Sequence, residues 1–475
     1  MDVTTLADIG RVTSGTYDPA GGDTPVGPDV VIDSRLVTPG ALFVALAGDK
    51  VDGHDFVAGA IEAGAAAALV SRPTGAAYEI VVSDPAQALA DLARDRVAQA
   101  GGAGLQVIGI TGSSGKTSTK DLLAQVLEAA GPTVAPQGSF NNEIGVPLTG
   151  LRATSGTRFL VCEMGARGAG HIRWLCDVTL PRVGVVLNVG SAHLGEFGGV
   201  EQIAQAKGEL VEAVGADGWA VLNADDPRVL AMAERTSARL ALVSSAGDPG
   251  RGDLRVWAEA VTADAAERYS FTLRVVGDGL DEGAAVTLQV TGRHQVDNAL
   301  AAAAAALCVG VSLDVVSSAL SAAGPRSRWR MEIGHRPDGV TVVNDAYNAN
   351  PDSMRAALGT AARLLRSART DHADASLFVV LGDMLELGAE APARHTEVGR
   401  LAAESGASLV LGIGEHADRI VAGAAAGGVD ALRVASREEA LQQLSDLRPG
   451  DVVLVKASRL VGLEAVASSL LGDPC

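Results

Sequence analysis

Short apolar runs, each followed by a longer segment with apolar residues at helical spacing, recur along this 475-residue chain. That alternation predicts a mostly parallel sheet with helices between its strands. The clearest instance is residues 107–110, an apolar run predicted as a buried strand. It breaks into a loop holding Gly112 and Gly115 and enters a helix at about Lys116. There Leu122, Leu123, Val126 and Leu127 recur at helical spacing, and Gly131-Pro132 ends the element. Further strands are predicted at 158–162, 183–187 and 220–223, running into Glu163, Asn188 and the string Ala-Asp-Asp-Pro. Between about 255 and 290 the pattern turns to strict alternation, with strands at 269–276 and 286–290. This predicts an antiparallel extension, followed by an Ala-rich helix after Gly292.

Two further units flank this one. Ahead of it lie predicted strands at 30–32, 41–46 and 67–70, an Ala-rich helix through about Ala63, and Gly101-Gly-Ala-Gly104, which reads as a flexible joint. After Gly324-Pro325 the alternation restarts, with strands at 340–343, 377–381, 409–411 and 452–455. These end at Asn344-Asp345, Gly382-Asp383, Gly412 and Lys456-Ala-Ser-Arg459. The expected architecture is α/β in three domains: a small N-terminal α/β domain at 1–104, a central domain at 105–325, and a Rossmann-like domain at 326–475. The third carries no phosphate cradle of its own, so it is expected to supply a second substrate site or to close over the first.

Composition narrows the partners. The net charge of −19 argues against a nucleic-acid surface and provides no polybasic patch for membranes. Four scattered cysteines (Cys162, Cys176, Cys308, Cys475) form neither a disulfide framework nor a zinc knuckle, which points to a reducing compartment. The N-terminus has no basic segment followed by an apolar one, and the longest apolar run, 299–311, is too short to cross a bilayer. A cytoplasmic, monomeric protein without membrane insertion is expected.

The candidate chemistry begins at Gly112-Ser-Ser-Gly-Lys-Thr117. Glycines admit close backbone approach, successive N–H groups and a helix N-terminus face an anion, Lys116 adds charge, and Thr117 offers a hydroxyl to Mg²⁺. The motif is the short G-x-x-G-K-T form, because Ile110 stands where the full pattern has its first glycine. Open parallel sheets bind ligands beyond the carboxyl ends of their strands, which places Glu163 and His193, past two strands of one sheet, toward the rim of the phosphate loop. Singly, Glu163 reads as well as a surface carboxylate and His193 as a satisfied loop histidine; jointly they suit Mg²⁺. On spacing alone Lys207, in Ala-Lys-Gly-Glu, reads as an exposed helix lysine.

In this order, Thr111-Gly-Ser-Ser-Gly-Lys-Thr, Glu163-Met-Gly, Asn188-Val-Gly-Ser-Ala-His-Leu, Ala206-Lys-Gly-Glu, Asn223-Ala-Asp-Asp-Pro, Gly292-Arg-His-x-x-x-Asn and the Arg330…Asp345 pair resemble the Mur ligases. These are ATP-dependent amide-forming enzymes of peptidoglycan precursor synthesis. The resemblance covers nearly the whole chain. It implies ATP contacts from Gly112, Ser113, Ser114, Gly115, Lys116, Thr117, Ser118, Asn298, Arg330 and Asp345. It also implies two Mg²⁺ ions held by Thr117, Glu163, His193 and a carbamylated Lys207, which reverses the bland reading of that lysine. Lys116, Lys207 and His193 would be the catalytic set.

Within the family, Asp345-Ala-Tyr-Asn-Ala-Asn-Pro-Asp-Ser-Met and Gly382-Asp-Met-Leu-Glu-Leu-Gly are similar to members that add D-alanyl-D-alanine to UDP-N-acetylmuramoyl-tripeptide. Asp33-Ser-Arg and Asp52-Gly-His-Asp-Phe are similar to a UDP-binding domain. Substrate contacts are thereby implied for Ser34, Arg35, His54, Asn141, Asn142, Tyr347, Asn348, Asn350, Lys456, Ser458 and Arg459. Two positions depart from the family pattern, Gln295 for an asparagine and Ala457 for a glycine. The tripeptide-forming sister would carry an Asp-Asn-Pro-Arg-type string in its last domain, whereas Asp225-Asp-Pro-Arg228 lies in the central one. A folylpolyglutamate synthetase would begin close to its phosphate loop. A guanine-reading switch would need an Asn/Thr-Lys-x-Asp string, and none occurs.

Overall fold

Three sheets, in chain order, take up most of the apolar runs in the computed structural model, which describes residues 1–48, 50–190 and 198–472. His193 and Cys475 lie outside the described residues. The first sheet has four parallel strands in the order Val30–Val31, Leu42–Val44, Ala67–Val70 and Glu79–Val81. Beside it, Thr4–Thr5 pairs with Pro25–Val26.

The central sheet has nine strands, from Leu280–Thr291 at one edge through Arg268–Gly277, Leu254–Ala263, Arg239–Ser244, Trp219–Asn223, Val183–Val186, Gln106–Thr111 and Phe159–Glu163 to Thr133–Val134. The pairings that join 254–263, 268–277 and 280–291 are antiparallel, and the rest are parallel. The antiparallel extension expected from alternation is therefore present, with one more strand than the two predicted. Strand Gln106–Thr111 sits between Phe159–Glu163 and Val183–Val186, so successive connections leave it in opposite directions. That is a switch point, where a crevice opens at the carboxyl ends of the strands.

The Ala-rich segment after Gly292 is the helix His294–Cys308, with Ala299 to Ala306 wholly buried between the sheet and helix Lys116–Glu128. Small side chains let it lie close to both partners, and its apolar run reflects burial on all sides. Among the described residues no helix is long and apolar enough to cross a membrane.

The third sheet runs Glu332–His335, Thr341–Asn344, Val452–Lys456, Leu377–Leu381, Ala407–Gly412, Asp430–Arg433, parallel except for its first pairing. One expectation fails. Gly101 and Gly102 belong to helix Pro85–Gly102, and only Ala103 and Gly104 turn the chain into the next strand. Leu89, Leu92, Ala93 and Val97 bury that helix firmly enough to carry two glycines at its end.

Helices Ala391–Glu404 and Ala417–Ala426 cross at paired glycines. A Cβ at Gly399 would lie 2.0 Å from the Ile420 carbonyl oxygen, and one at Gly423 would lie 2.0 Å from that of Thr396. Gly423→Ala is expected to lower stability by about 1–3 kcal/mol through overpacking. Gly59→Ala, in helix Val57–Glu62 with open space around the glycine, should raise it by about 0.5–1 kcal/mol. Denaturant unfolding of the two variants checks both signs.

Candidate active site

Backbone geometry builds the phosphate cradle. Gly115 takes φ +81°, in the left-handed region, and a Cβ there would lie 2.5 Å from Asn298 Oδ1. Asn188, just beyond strand Val183–Val186, accepts from the N–H groups of Ser113 and Ser114 at 3.0 Å each and donates to the Ser114 carbonyl at 3.2 Å. Asn188 is itself fixed from the next strand. Asp226 accepts from the Val189 N–H at 2.8 Å, and Asn223 donates to the Leu187 carbonyl at 3.0 Å. The Asn223-Ala-Asp-Asp-Pro string thus shapes the phosphate loop from one strand away.

Charge is concentrated where the strands end. Lys116 Nζ donates to the Gly112 carbonyl at 2.7 Å; burial lowers its pKa, Glu163 opposes the shift and Arg330 reinforces it. Glu163 is 1% exposed. It accepts from Thr117 Oγ1 and from Asn141 Nδ2, each at 2.9 Å. Ser139 Oγ lies 3.2 Å from Thr117 Oγ1 and accepts from Arg330 Nη2 at 3.0 Å. A carboxylate and two hydroxyls at this one place form a hard-oxygen set, with the Asn141 amide N–H orienting the carboxylate.

Lys207 sits in helix Val200–Ala213 on the face packed against strands 106–111 and 183–186, and is 5% exposed. This overturns its reading as an exposed helix lysine. Burial holds the amine well below the usual lysine range, and the nearby Lys116 charge pushes it the same way. Among the described residues no carboxylate forms an ion pair with it, and it does not line the open cavity.

That cavity has a volume of about 690 Å³ and lies between the phosphate loop and the third sheet. Arg330 stacks its guanidinium 4.2 Å from the centre of the Tyr347 ring. Asp345 Oδ2 lies 2.5 Å from Lys456 Nζ, and its Oδ1 accepts from the Met331 N–H at 3.0 Å. Lys456 also donates to the Asn348 carbonyl at 2.9 Å, so one buried ammonium orders the whole Asp345–Asn348 turn. Arg459 lies over the Trp329 ring at 4.3 Å and pairs with Glu464. Asn350 caps helix Pro351–Ala368 in a reciprocal capping box with Ser353.

The structure thus gathers Ser113 to Ser118, Asn141, Asn142, Glu163, Asn298, Arg330, Asp345, Tyr347, Asn348, Asn350, Lys456 and Arg459 around one cavity; Gly112 lies directly behind it. Four expected substrate residues do not line it. Ser458 Oγ accepts from the Leu385 N–H at 3.0 Å and so anchors the Gly382–Glu386 loop. Ser34 and Arg35 lie on a short turn where Arg35 pairs with Asp33 at 2.6 Å. His54 is buried, with Nδ1 2.6 Å from Asp52 Oδ1 and Nε2 accepting from the Ser71 N–H at 2.9 Å. Its imidazole therefore ties the first domain together.

Both departures from the family pattern are accommodated. Gln295 Oε1 accepts from Asn298 Nδ2 at 2.9 Å, and the Ala457 methyl packs where Gly382 has no side chain. Residues that sequence reasoning passed over include Ser139, Glu143, Arg167, His171, His294 and Glu386, all lining the cavity. Of these, His294 and Glu386 belonged to quoted motifs. Ser139, Glu143 and Arg167 stand in loops and His171 opens a helix, and the approach of each to the site is set by tertiary packing.

Three family models match the chain: Mur ligase family, catalytic domain, over 29–97; Mur ligase middle domain over 110–306; and Mur ligase, glutamate ligase domain, over 329–459. A UDP-N-acetylmuramoyl-tripeptide--D-alanyl-D-alanine ligase of Mycobacterium tuberculosis is 48% identical over 94% of this chain and 92% of its own. The Escherichia coli protein of the same name is 35% identical over 93% of each. A crystal structure of MurF from Acinetobacter baumannii superposes with TM-score 0.85 over the full length of both chains at 31% identity. MurF from Thermotoga maritima in complex with ADP gives 0.77 at 28% identity, covering 94% of this chain and 97% of that one.

His294 yields a pH-dependent expectation. Burial pushes its imidazole from 6.5 down to about 4, against the pull of Asp345. Between those values the unfolded chain binds a proton that the fold refuses, so stability falls as pH drops from 6.5 toward 4. Melting temperatures at pH 7 and pH 5 should differ less in His294→Gln than in the unaltered protein.

Proposed function

The chain belongs to the Mur ligase family, and from that premise we propose how its cavity joins two peptides. It is an ATP-dependent ligase that adds D-alanyl-D-alanine to UDP-N-acetylmuramoyl-tripeptide in peptidoglycan precursor synthesis. The observation that carries the mechanism is the meeting of Lys116, Thr117, Glu163 and Arg330 at one cavity between two domains.

A free carboxylate does not form an amide unaided, because hydroxide is a poor leaving group. The terminal carboxylate of the tripeptide attacks the γ-phosphorus of ATP, releasing ADP and forming an acyl phosphate. The dipeptide amine then attacks the acyl carbon, the C–O bond to phosphate breaks, and the amine gives up a proton. The protein's share is orientation and charge compensation. The loop N–H groups and Lys116 hold the phosphates. Arg330 reaches them from the third domain, while Asp345, fixed by Lys456, faces the nucleotide. Enclosure between domains keeps water from the acyl phosphate. In this reading the first domain binds UDP, the third closes over ATP and holds the amine substrate, and the protein works as a cytoplasmic monomer.

Mg²⁺ fits the oxygen set of Thr117 and Glu163, and when bound it offsets phosphate charge. Among the described residues no group of three His, Cys, Asp or Glu is assembled, as suits an ion that takes much of its shell from phosphate and water. His193 is proposed as a further ligand. Lys207 as an ammonium would repel a second ion. Burial and the Lys116 charge both disfavour its ammonium form, which suits the amine to take up CO₂ as a carbamate, giving an anionic oxygen pair on a long arm.

Phosphate release from ATP should require the UDP-linked tripeptide and D-alanyl-D-alanine together. Turnover with a single amino acid and none with the dipeptide would move the assignment to the sister ligase. Lys207→Arg keeps the positive charge but cannot form the carbamate, and should lose activity roughly a hundredfold or more while still binding ATP analogue. Lys207→Ala should be partly restored by formate or acetate. Near-normal turnover by Lys207→Arg would end the carbamate reading.

A further inference from the structure

The walls of the cavity divide by origin. One comes from the phosphate loop together with residues 243–245 and 294–301, and a second from the third domain. The third wall is made of Ser139 to Glu143 and Glu163 to His171, and the nucleotide reading leaves most of it unused.

That wall faces a particular neighbour. Helices Gly145–Gly150 and His171–Thr179, which continue its two segments, pack on the first domain: Leu151 and Val178 share a core with Leu6, Ile9, Leu89 and Leu92, and Ile144, Leu148 and Trp174 lie against it. It therefore lies between the first domain, where the proposed function puts the UDP end, and Glu163, where the reacting carboxylate must arrive.

The wall is held firmly at both ends. The Gly165 N–H donates to the Asn141 carbonyl at 2.8 Å. The Glu209 carboxylate accepts from the N–H groups of Gly170 at 2.6 Å and Arg173 at 3.0 Å, fixing the start of helix His171–Thr179. Between these anchors, Arg167 is exposed along the cavity side, with no ion pair to its guanidinium among the described residues. His171 Nδ1 lies 3.3 Å from Glu143 Oε1 and accepts from the Arg167 N–H at 3.4 Å. An Nδ1 that accepts there has no proton to give Glu143, and among the described residues the Arg167 guanidinium stays without an ion pair at the cavity wall. In a chain of net charge −19, a cation so placed selects for anions locally.

We propose that Arg167 binds a carboxylate of the acceptor peptide other than the one being activated, and thereby sets which tripeptides the enzyme accepts. The proposal rests on the ligase reading given above. The Acinetobacter baumannii relative whose name spells out the peptide acts on alanyl-D-glutamyl-2,6-diaminopimelate. Two groups in such a peptide meet the requirement: the carboxyl that D-glutamate does not use in its peptide link, and the second carboxyl of diaminopimelate. A lysine in third place would lack the latter.

The test measures KM for three acceptors with saturating ATP and D-alanyl-D-alanine: the diaminopimelate tripeptide, the lysine tripeptide, and the lysine tripeptide with its free glutamyl carboxyl amidated. Each is run with the unaltered protein, Arg167→Met and Arg167→Lys, and binding of an ATP analogue reports folding. If Arg167 reads diaminopimelate, Arg167→Met raises KM for that tripeptide at least about tenfold more than for the lysine tripeptide. If it reads glutamate, both rise together and the amidated substrate is insensitive to the change. Arg167→Lys should recover part of either effect. Equal effects on all three acceptors, or none, overturn the assignment while the ligase reading stands. Absence of turnover in the unaltered protein with every acceptor overturns both.

Discussion

Positive charge taken out of water at the carboxyl edge of a parallel sheet is the constraint on which the rest of this structure depends. Burial lowers the pKa of both Lys116 and Lys207, the Lys116 charge adds to the effect on Lys207, and the buried Glu163 carboxylate opposes it at Lys116. Such an arrangement is costly unless anions arrive to complete it. The surroundings are rigid for that reason. Asn188 fixes the loop, Asn223 and Asp226 fix Asn188, and Asn298 fills the space that glycine leaves at 115. The unbalanced charge invites phosphate, and the fixed dipoles define where it goes.

The third domain answers the same constraint from across the cavity. Lys456 is fully committed to Asp345 and the Asn348 carbonyl, so it serves as the internal strut of a turn. Arg330 is braced by Tyr347 and Ser139, one contact on each side of the gap. Away from the cavity Arg363 pairs with Glu267 of the central domain, and Arg326 pairs with Glu128. The two domains therefore meet through polar contacts at several separate points, which suits surfaces that part and rejoin.

The phosphate loop was legible because its chemistry is local. Strand, glycine turn and helix start are consecutive, and the structure differs from the expected bounds by a residue or so. Glu163 was legible as a strand end, although nothing in its neighbours announced Asn141 as its partner. Lys207 was misread because a lysine in a helix is ordinarily solvated, although Ile203, Leu210 and Val211, four before it and three and four after, put it on the apolar face of helix Val200–Ala213. Gly101 and Gly102 suggested a hinge because glycine signals freedom, whereas an apolar face three turns long held them helical. Arg167 and His171 left no signal at all, since their place on the wall depends on how Glu209 and Asn141 hold a loop from elsewhere in the chain.

The four tryptophans are distributed in a way that makes the molecule's articulation visible to light. Trp174 lies against the first domain, and Trp329 sits at the start of the third beneath the Arg459 guanidinium. Trp219 and Trp257 are buried in the central sheet, apart from either joint. Two indoles stand at the joints and two stand still, so intrinsic emission contains its own reference. A change in how the domains sit alters the surroundings of the first pair and leaves the second as an internal standard, without a dye or a label.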